Sequence, residues 1–271
     1  MPTCYRHPDR ETGVSCSSCG RPICPDCMTA TPVGMRCPEC ARQRTRVRAG
    51  TPAFGRAGAM PAAWVLIAVN VAAFLAELGA GTGGLNGGGR VIDRFSVFGP
   101  KIADGEWYRV LTGAFLHAGL LHIAFNMYAL YILGVLLEPA LGSLRFTFLY
   151  FASLFAGSLG VIVLSPHTRA VGASGAIFGL FAAAFVIARG RRLEAIAAQL
   201  GVLLVINLAL TFGIPGIAIG AHLFGAGAGA LCGLLILAGD RGALGRNRIP
   251  AEIAAMAVLA IAAAVASVAL A

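Results

Sequence analysis

Charge is what this 271-residue chain has least of. Charged residues make up 12% and hydrophobic ones 58%, a balance outside the soluble globular range. Acids are scarcest, 12 against 21 bases, and almost all of the bases are arginine. The resulting net charge of +9 would suit nucleic acid, but no basic-aromatic groove or stripe accompanies it. The arginines lie between apolar runs, where topology signals belong, so nucleic acid is set aside as a partner. Beyond residue 40 the chain holds one cysteine, Cys232, read as a small packing residue. The opening is Cys-rich and polar, unlike a secretory signal peptide. A metalloprotease His-Glu-x-x-His helix is missing too, the nearest histidines standing five apart without a glutamate between them.

Metal-ligand spacing dominates the first forty residues. Cys4-x2-His7, Cys16-x2-Cys19, Cys24-x2-Cys27 and Cys37-x2-Cys40 supply eight ligands, enough for two tetrahedral Zn²⁺ ions. Gly20, Pro22, Pro25 and Pro38 furnish the tight turns that let both members of a pair reach one ion. So short a segment buries little core, and metal has to supply much of its folding free energy. A disulfide knot needs an oxidising compartment, which the topology below excludes. The spacing is similar to that of B-box zinc domains, and that resemblance implies interleaved pairs. The spacing itself leaves interleaved and sequential pairing equally open. We expect a zinc-binding domain over 1–41 that docks a cytoplasmic protein partner, then a flexible basic linker over 42–60.

From residue 61 the pattern predicts membrane helices at 61–79, 112–137, 145–165, 174–189, 193–212, 216–238 and 250–270. With the amino terminus inside, twelve arginines flank the inner side (Arg42, Arg44, Arg46, Arg48, Arg56, Arg145, Arg189, Arg191, Arg192, Arg241, Arg246 and Arg248). Five bases (Arg90, Arg94, Lys101, Arg109 and Arg169) face outward. The expected orientation is therefore amino terminus cytoplasmic. The long first outer loop, with a Gly-rich stretch from Gly81 to Gly89 and then Trp107 and Tyr108, is expected in the membrane interface.

Polar residues recur at one expected depth. His117, His122 and Asn126 lie on the second predicted span, His122 some eight residues from its start and so on the order of 12 Å deep. His222 stands a comparable distance along the sixth. The fourth span is too short for a bilayer of roughly 30 Å, so Ser174 must start below the surface. Gly175 with Gly179, and Gly225 with Gly229, form small-residue faces that let two helices approach closely. Polar side chains in hydrocarbon are costly enough to be functional candidates. A serine with a histidine in reach is a nucleophile with its general base. Glu77, Glu138, Glu194 and Asp240 lie elsewhere, so a dyad rather than a triad is expected. Oxyanion donors would be the Ser174 backbone N–H with His122 and Asn126, and His117 would organise the site. His167 is read as polar and exposed.

These residues resemble the rhomboid family of intramembrane serine proteases over about 61–240. The likeness rests on Trp107-Tyr108-Arg109, His117-x4-His122-x3-Asn126, Glu138, Gly172-x-Ser174-Gly175 and Ala221-His222-x2-Gly225-x3-Gly229. The resemblance implies an all-α polytopic membrane protein with a six-helix core, here followed by a loop and a seventh helix over 241–271. It implies catalysis by Ser174 and His222 without a cofactor, oxyanion donors His122 and Asn126, and substrates that are single-span membrane proteins. It places the protein in a lipid bilayer, expected to be the bacterial cell membrane, with the site in the outer half. One departure is Phe178, where many members carry a tyrosine under the catalytic histidine. The alternative reading is a silent relative that binds transmembrane helices, although such a relative is expected to lack the serine or histidine; a transporter would show an internal repeat, and no convincing one is seen.

Overall fold

The computed structural model describes residues 1–31, 34–42, 60–80, 88–214 and 216–271, without the side chain of Arg246. The linker arginines Arg44, Arg46, Arg48 and Arg56, and residues 81–87 of the Gly-rich stretch, lie outside the described residues. The chain divides into two compact units, Met1–Thr51 and Pro52–Ala271.

In the first unit, a short hairpin of β1 (Thr29–Thr31) and β2 (Gly34–Arg36) pairs Thr29 with Arg36. A 3-10 turn at Pro25–Cys27 precedes it and α1 (Pro38–Arg42) follows. The buried core consists of six cysteines and Ile23. So little aliphatic surface cannot offset the entropy of ordering the segment.

The second unit is mostly helical among the described residues, as its long apolar runs require. Among the described residues six helices are long and apolar enough to cross a membrane: α2 (Pro61–Gly79), α6 (Leu120–Leu141), α7 (Ser143–Leu164), α9 (Glu194–Gly213), α10 (Ile219–Asp240) and α11 (Arg248–Ala269). The seventh, α8 (Ser174–Gly190), has 17 residues, roughly 26 Å at 1.5 Å each. The protein is thus a mostly helical, multi-pass integral membrane protein with a small cysteine-rich amino-terminal region.

The second predicted span does not run unbroken from 112. The loop before it forms α3 (Arg90–Phe95), α4 (Gly99–Ala103) and α5 (Arg109–Thr112), then a 3-10 turn at Gly113–Phe115, and α6 begins only at Leu120. Gly119, at φ +131°, stops the helix from extending backward, because that backbone conformation is not helical. Gly113 is held where a Cβ would press on Val97 and the Ala170 carbonyl. His117 therefore lies in a loop, and His122 is the third residue of its helix rather than two turns along. The expected depth of 12 Å for His122 rested on the wrong start.

Buried polar groups tie the helices together. Glu138, 1% exposed, accepts hydrogen bonds from the Ala62 and Ala63 backbone N–H groups, both at 2.9 Å, and from Ser143 Oγ at 2.6 Å. It thereby caps α2 from the far end of α6. Arg145 on α7 pairs with the fully buried Glu252 on α11 at 3.0 Å. Below that pair Met256, Ala260, Ala263 and Ser267 continue one buried stripe along α11, a spacing of three and four that keeps them on one face.

Candidate active site

The site is assembled where three helices begin. The approach to α8 is pinned by two bonds between Val97 and Ala170, each 3.0 Å, and by Gly172 N–H on the Gly113 carbonyl at 3.0 Å. Gly172 adopts φ +117°, and a Cβ there would meet the His122 ring at 2.7 and 2.8 Å. Only glycine satisfies both the conformation and the contact. Ser174 is then the first residue of α8, half-buried, with its backbone N–H among the unpaired donors of a helix start.

Helix-terminal serines ordinarily cap. Here no side-chain cap is formed; Ser174 Oγ instead lies 2.7 Å from His222 Nε2. His222, the fourth residue of α10 and 7% exposed, stacks on Phe178 with centroids 4.1 Å apart and planes 15° from parallel. Phe178 is one turn below Ser174, so α8 supplies both the hydroxyl and the floor under the imidazole.

Close approach of α8 and α10 depends on the glycines named from the sequence. A Cβ on Gly225 would strike the Gly175 carbonyl, and one on Gly229 the Gly179 backbone. Gly179 is itself packed against Ser153 of α7. These side-chain-free contacts begin one residue past Ser174 and three past His222 and run on along both helices.

His122 accepts the Ala118 backbone N–H on Nδ1 at 3.2 Å. In the neutral ring the proton then sits on Nε2, the nitrogen against Gly172. Asn126, one turn on, spends one amide N–H on the His122 carbonyl at 2.8 Å and keeps its second. His117 is fully buried with its ring edge-on to His122 at 5.2 Å. Its ring packs against His122 with the Phe115 backbone beside it. Glu77, set aside from sequence, is nearer than expected: its carboxylate accepts the His117 backbone N–H at 3.2 Å.

Thr211 of α9 was not singled out from sequence. Its Oγ1 is 2.7 Å from His222 Nδ1. A threonine in an apolar helix carries no signal by itself, since its hydroxyl can satisfy itself on the preceding turn. Cys232 is buried in the α10 core and His167 is exposed.

The amino-terminal unit gathers its ligands into two groups, Cys4, His7, Cys24 and Cys27, and Cys16, Cys19, Cys37 and Cys40, each with all ligand atoms within 4.8 Å. Pairing is interleaved, the first pair with the third and the second with the fourth. His7 Nδ1 stands 3.3 Å from Cys24 Sγ, 3.5 Å from Cys27 Sγ and 3.8 Å from Cys4 Sγ. Tetrahedral bonding at about 2.3 Å to sulfur and 2.0 Å to nitrogen would set such edges at roughly 3.5–3.8 Å. The donor set therefore fits a tetrahedral divalent ion. Burial and the neighbouring Cys4 and Cys24 thiols push Cys27 up to about 11. Hydrogen bonds that the Cys40 thiol donates to Cys37 and Cys19, with burial, push it up to about 12. A cation held between them would favour the ionised form of all these thiols.

The fold and the site define the class: a multi-pass membrane protein with a hydroxyl and an imidazole in contact at converging helix ends. Residues 104–239 match the Rhomboid domain, half of the chain, and the chain belongs to the rhomboid family. It is 37% identical over 174 residues to Rhomboid protease GluP of Bacillus subtilis, covering 62% of this chain and 34% of that one. It is also 37% identical over 141 residues to YdcA of the same organism, 50% of this chain and 68% of the relative. RHOMBOID-like protein 1 of Arabidopsis thaliana shares 37% identity over 136 residues, 49% of this chain and 35% of its own length. The chain thus spans about a third of GluP and two thirds of YdcA.

Proposed function

We propose that this protein is an intramembrane serine endopeptidase acting through a Ser174–His222 dyad. The observation that carries the reading is the 2.7 Å contact between Ser174 Oγ and His222 Nε2. Ser174 attacks the scissile carbonyl carbon while His222 takes the hydroxyl proton. The oxyanion receives N–H groups from the Ser174 backbone, His122 Nε2 and Asn126 Nδ2. Collapse expels the amine with the proton from His222, and water repeats the sequence on the acyl-enzyme. No metal takes part in this chemistry. Membership of a family with relatives named proteases supports the reading.

Substrates are single-span membrane proteins, whose peptide bond must leave its helix to reach Ser174. The amino terminus lies in the cytoplasm, the site in the outer half of the bacterial cell membrane, and the protease core spans 61–240. The region 1–41 holds two structural Zn²⁺ ions and docks a cytoplasmic protein; the linker over 42–60 and the loop and helix over 241–271 flank the core. A silent helix-binding relative remains the second reading, and the presence of both dyad residues weighs against it. The test is labelling by a serine-directed phosphonate, with the adduct located by mass spectrometry. We expect it on Ser174 and lost in His222→Ala. An adduct elsewhere, or none in the wild-type protein, refutes the dyad.

A further inference from the structure

We propose that Thr211 is the positioning residue of the dyad, holding the His222 proton on Nδ1 so that Nε2 is bare toward Ser174. The inference rests on the dyad reading above. It comes from counting protons. Thr211 Oγ1 lies 2.8 Å from the Asn207 carbonyl and 2.7 Å from His222 Nδ1. A carbonyl oxygen can only accept, so the single hydroxyl proton goes to Asn207. The oxygen then faces Nδ1 with a lone pair, and Nδ1 must donate. A neutral imidazole carries one N–H, which leaves Nε2 as the acceptor, 2.7 Å from Ser174 Oγ. That is the tautomer a general base requires. With the opposite assignment, two oxygens would face each other at 2.8 Å without a proton, and Nε2 would have nothing to accept with.

The packing of α9 supports a dedicated contact. Its buried residues are Ala197, Leu200 and Thr211. Thr211, at 2% exposure, is thus the buried side chain of the helix's outgoing end, and its polar atom meets the imidazole. When Ser174 attacks and His222 becomes an imidazolium, the Nδ1–H bond to Thr211 becomes charge-assisted and strengthens. A contact stronger in the transition state than in the ground state acts on kcat. A neutral acceptor does this without burying a carboxylate in the hydrocarbon. The bland alternative is a threonine that bonds back to its own helix for local satisfaction, and it assigns the His222 contact no consequence.

The experiment compares wild type, Thr211→Val, Thr211→Ser and Ser174→Ala in liposomes. It reads cleavage kinetics, the rate of phosphonate labelling, thermal stability and the imidazole ¹⁵N spectrum of His222. We expect Thr211→Val to lose about 10- to 100-fold in kcat, the scale of one hydrogen bond to a developing charge, with KM within about twofold. Phosphonate labelling slows in proportion, the Nδ1–H signature gives way to a tautomer mixture, and Thr211→Ser restores the wild-type behaviour. Wild-type kcat in Thr211→Val overturns the proposal. So does a loss of activity that only follows lost thermal stability with the tautomer unchanged. If wild type neither cuts nor labels beyond Ser174→Ala, the dyad reading fails instead, and the spectrum still decides the Thr211 bond.

Discussion

Replacing Glu138 by alanine should loosen α2 from the bundle. Helix α2 begins Met60-Pro61, and Met60 offers no capping oxygen. Ala62 and Ala63 N–H, the second and third of the helix and so the donors a local cap would take, reach the Glu138 carboxylate at 2.9 Å each. The same group accepts Ser143 Oγ at 2.6 Å. Alanine removes three hydrogen bonds at once and strands a buried N–H at Ala63. Interhelical hydrogen bonds in membrane proteins contribute about 0.6 kcal/mol on average and up to about 1.7, and these are made to a charge at a helix amino terminus. The expected loss is about 2–4 kcal/mol, or roughly 30- to 1,000-fold in the folding equilibrium. Glu138→Gln keeps one acceptor oxygen and should lose about half as much. Trp64 of α2 meets Tyr131 of α6 in a tilted ring pair with centroids 5.7 Å apart, so its fluorescence in a Trp107→Phe background reports α2 leaving α6. Reversible unfolding in mixed detergent measures the shift. Glu138→Ala within about 0.5 kcal/mol of wild type would refute the capping argument.

Three further outcomes are expected. Gly225→Ala drives a Cβ into the Gly175 carbonyl and displaces α10 beside the dyad, so cleavage should fall on the order of 100-fold. Gly227→Ala, two residues on with nothing within 4 Å, should cleave like wild type, and equal losses in both would sink the close-approach account. Phe178→Ala removes the ring stacked on His222 at 4.1 Å and should lower kcat about three- to tenfold, while Phe178→Tyr stays near wild type; an unaffected Phe178→Ala would show that the stack does not hold the imidazole. Elemental analysis should find two zinc ions per chain and one in Cys24→Ala, with cleavage within about twofold after chelation; one ion in the wild type, or cleavage that dies with the metal, contradicts the assignment.

What could be read from sequence was local. Cys-x2-Cys spacing places ligands in pairs because two residues of turn suffice, but which pairs meet depends on the hairpin between them. Helices α7 to α11 lie within a few residues of their predicted ranges, since unbroken apolar runs leave the backbone no other way to satisfy itself. The second span failed for a related reason: Leu116 to Gly119 is apolar enough to continue a helix, and Gly119 stops it through a conformation that hydropathy does not register. Glu138 was noted from sequence for the family likeness, but its role as a cap 76 residues from its partner was not legible. A still longer separation, 107 residues, hid the pairing of Arg145 with Glu252. Thr211 was invisible because a helical threonine has an ordinary use, and only its neighbour shows another.

The most direct test of the central claim is cleavage of a purified single-span membrane protein in liposomes by wild type and by Ser174→Ala. The account predicts two fragments from scission of a single peptide bond for wild type and at least about 1,000-fold slower cleavage for the variant. Cleavage of the same bond at the same rate by Ser174→Ala would contradict it.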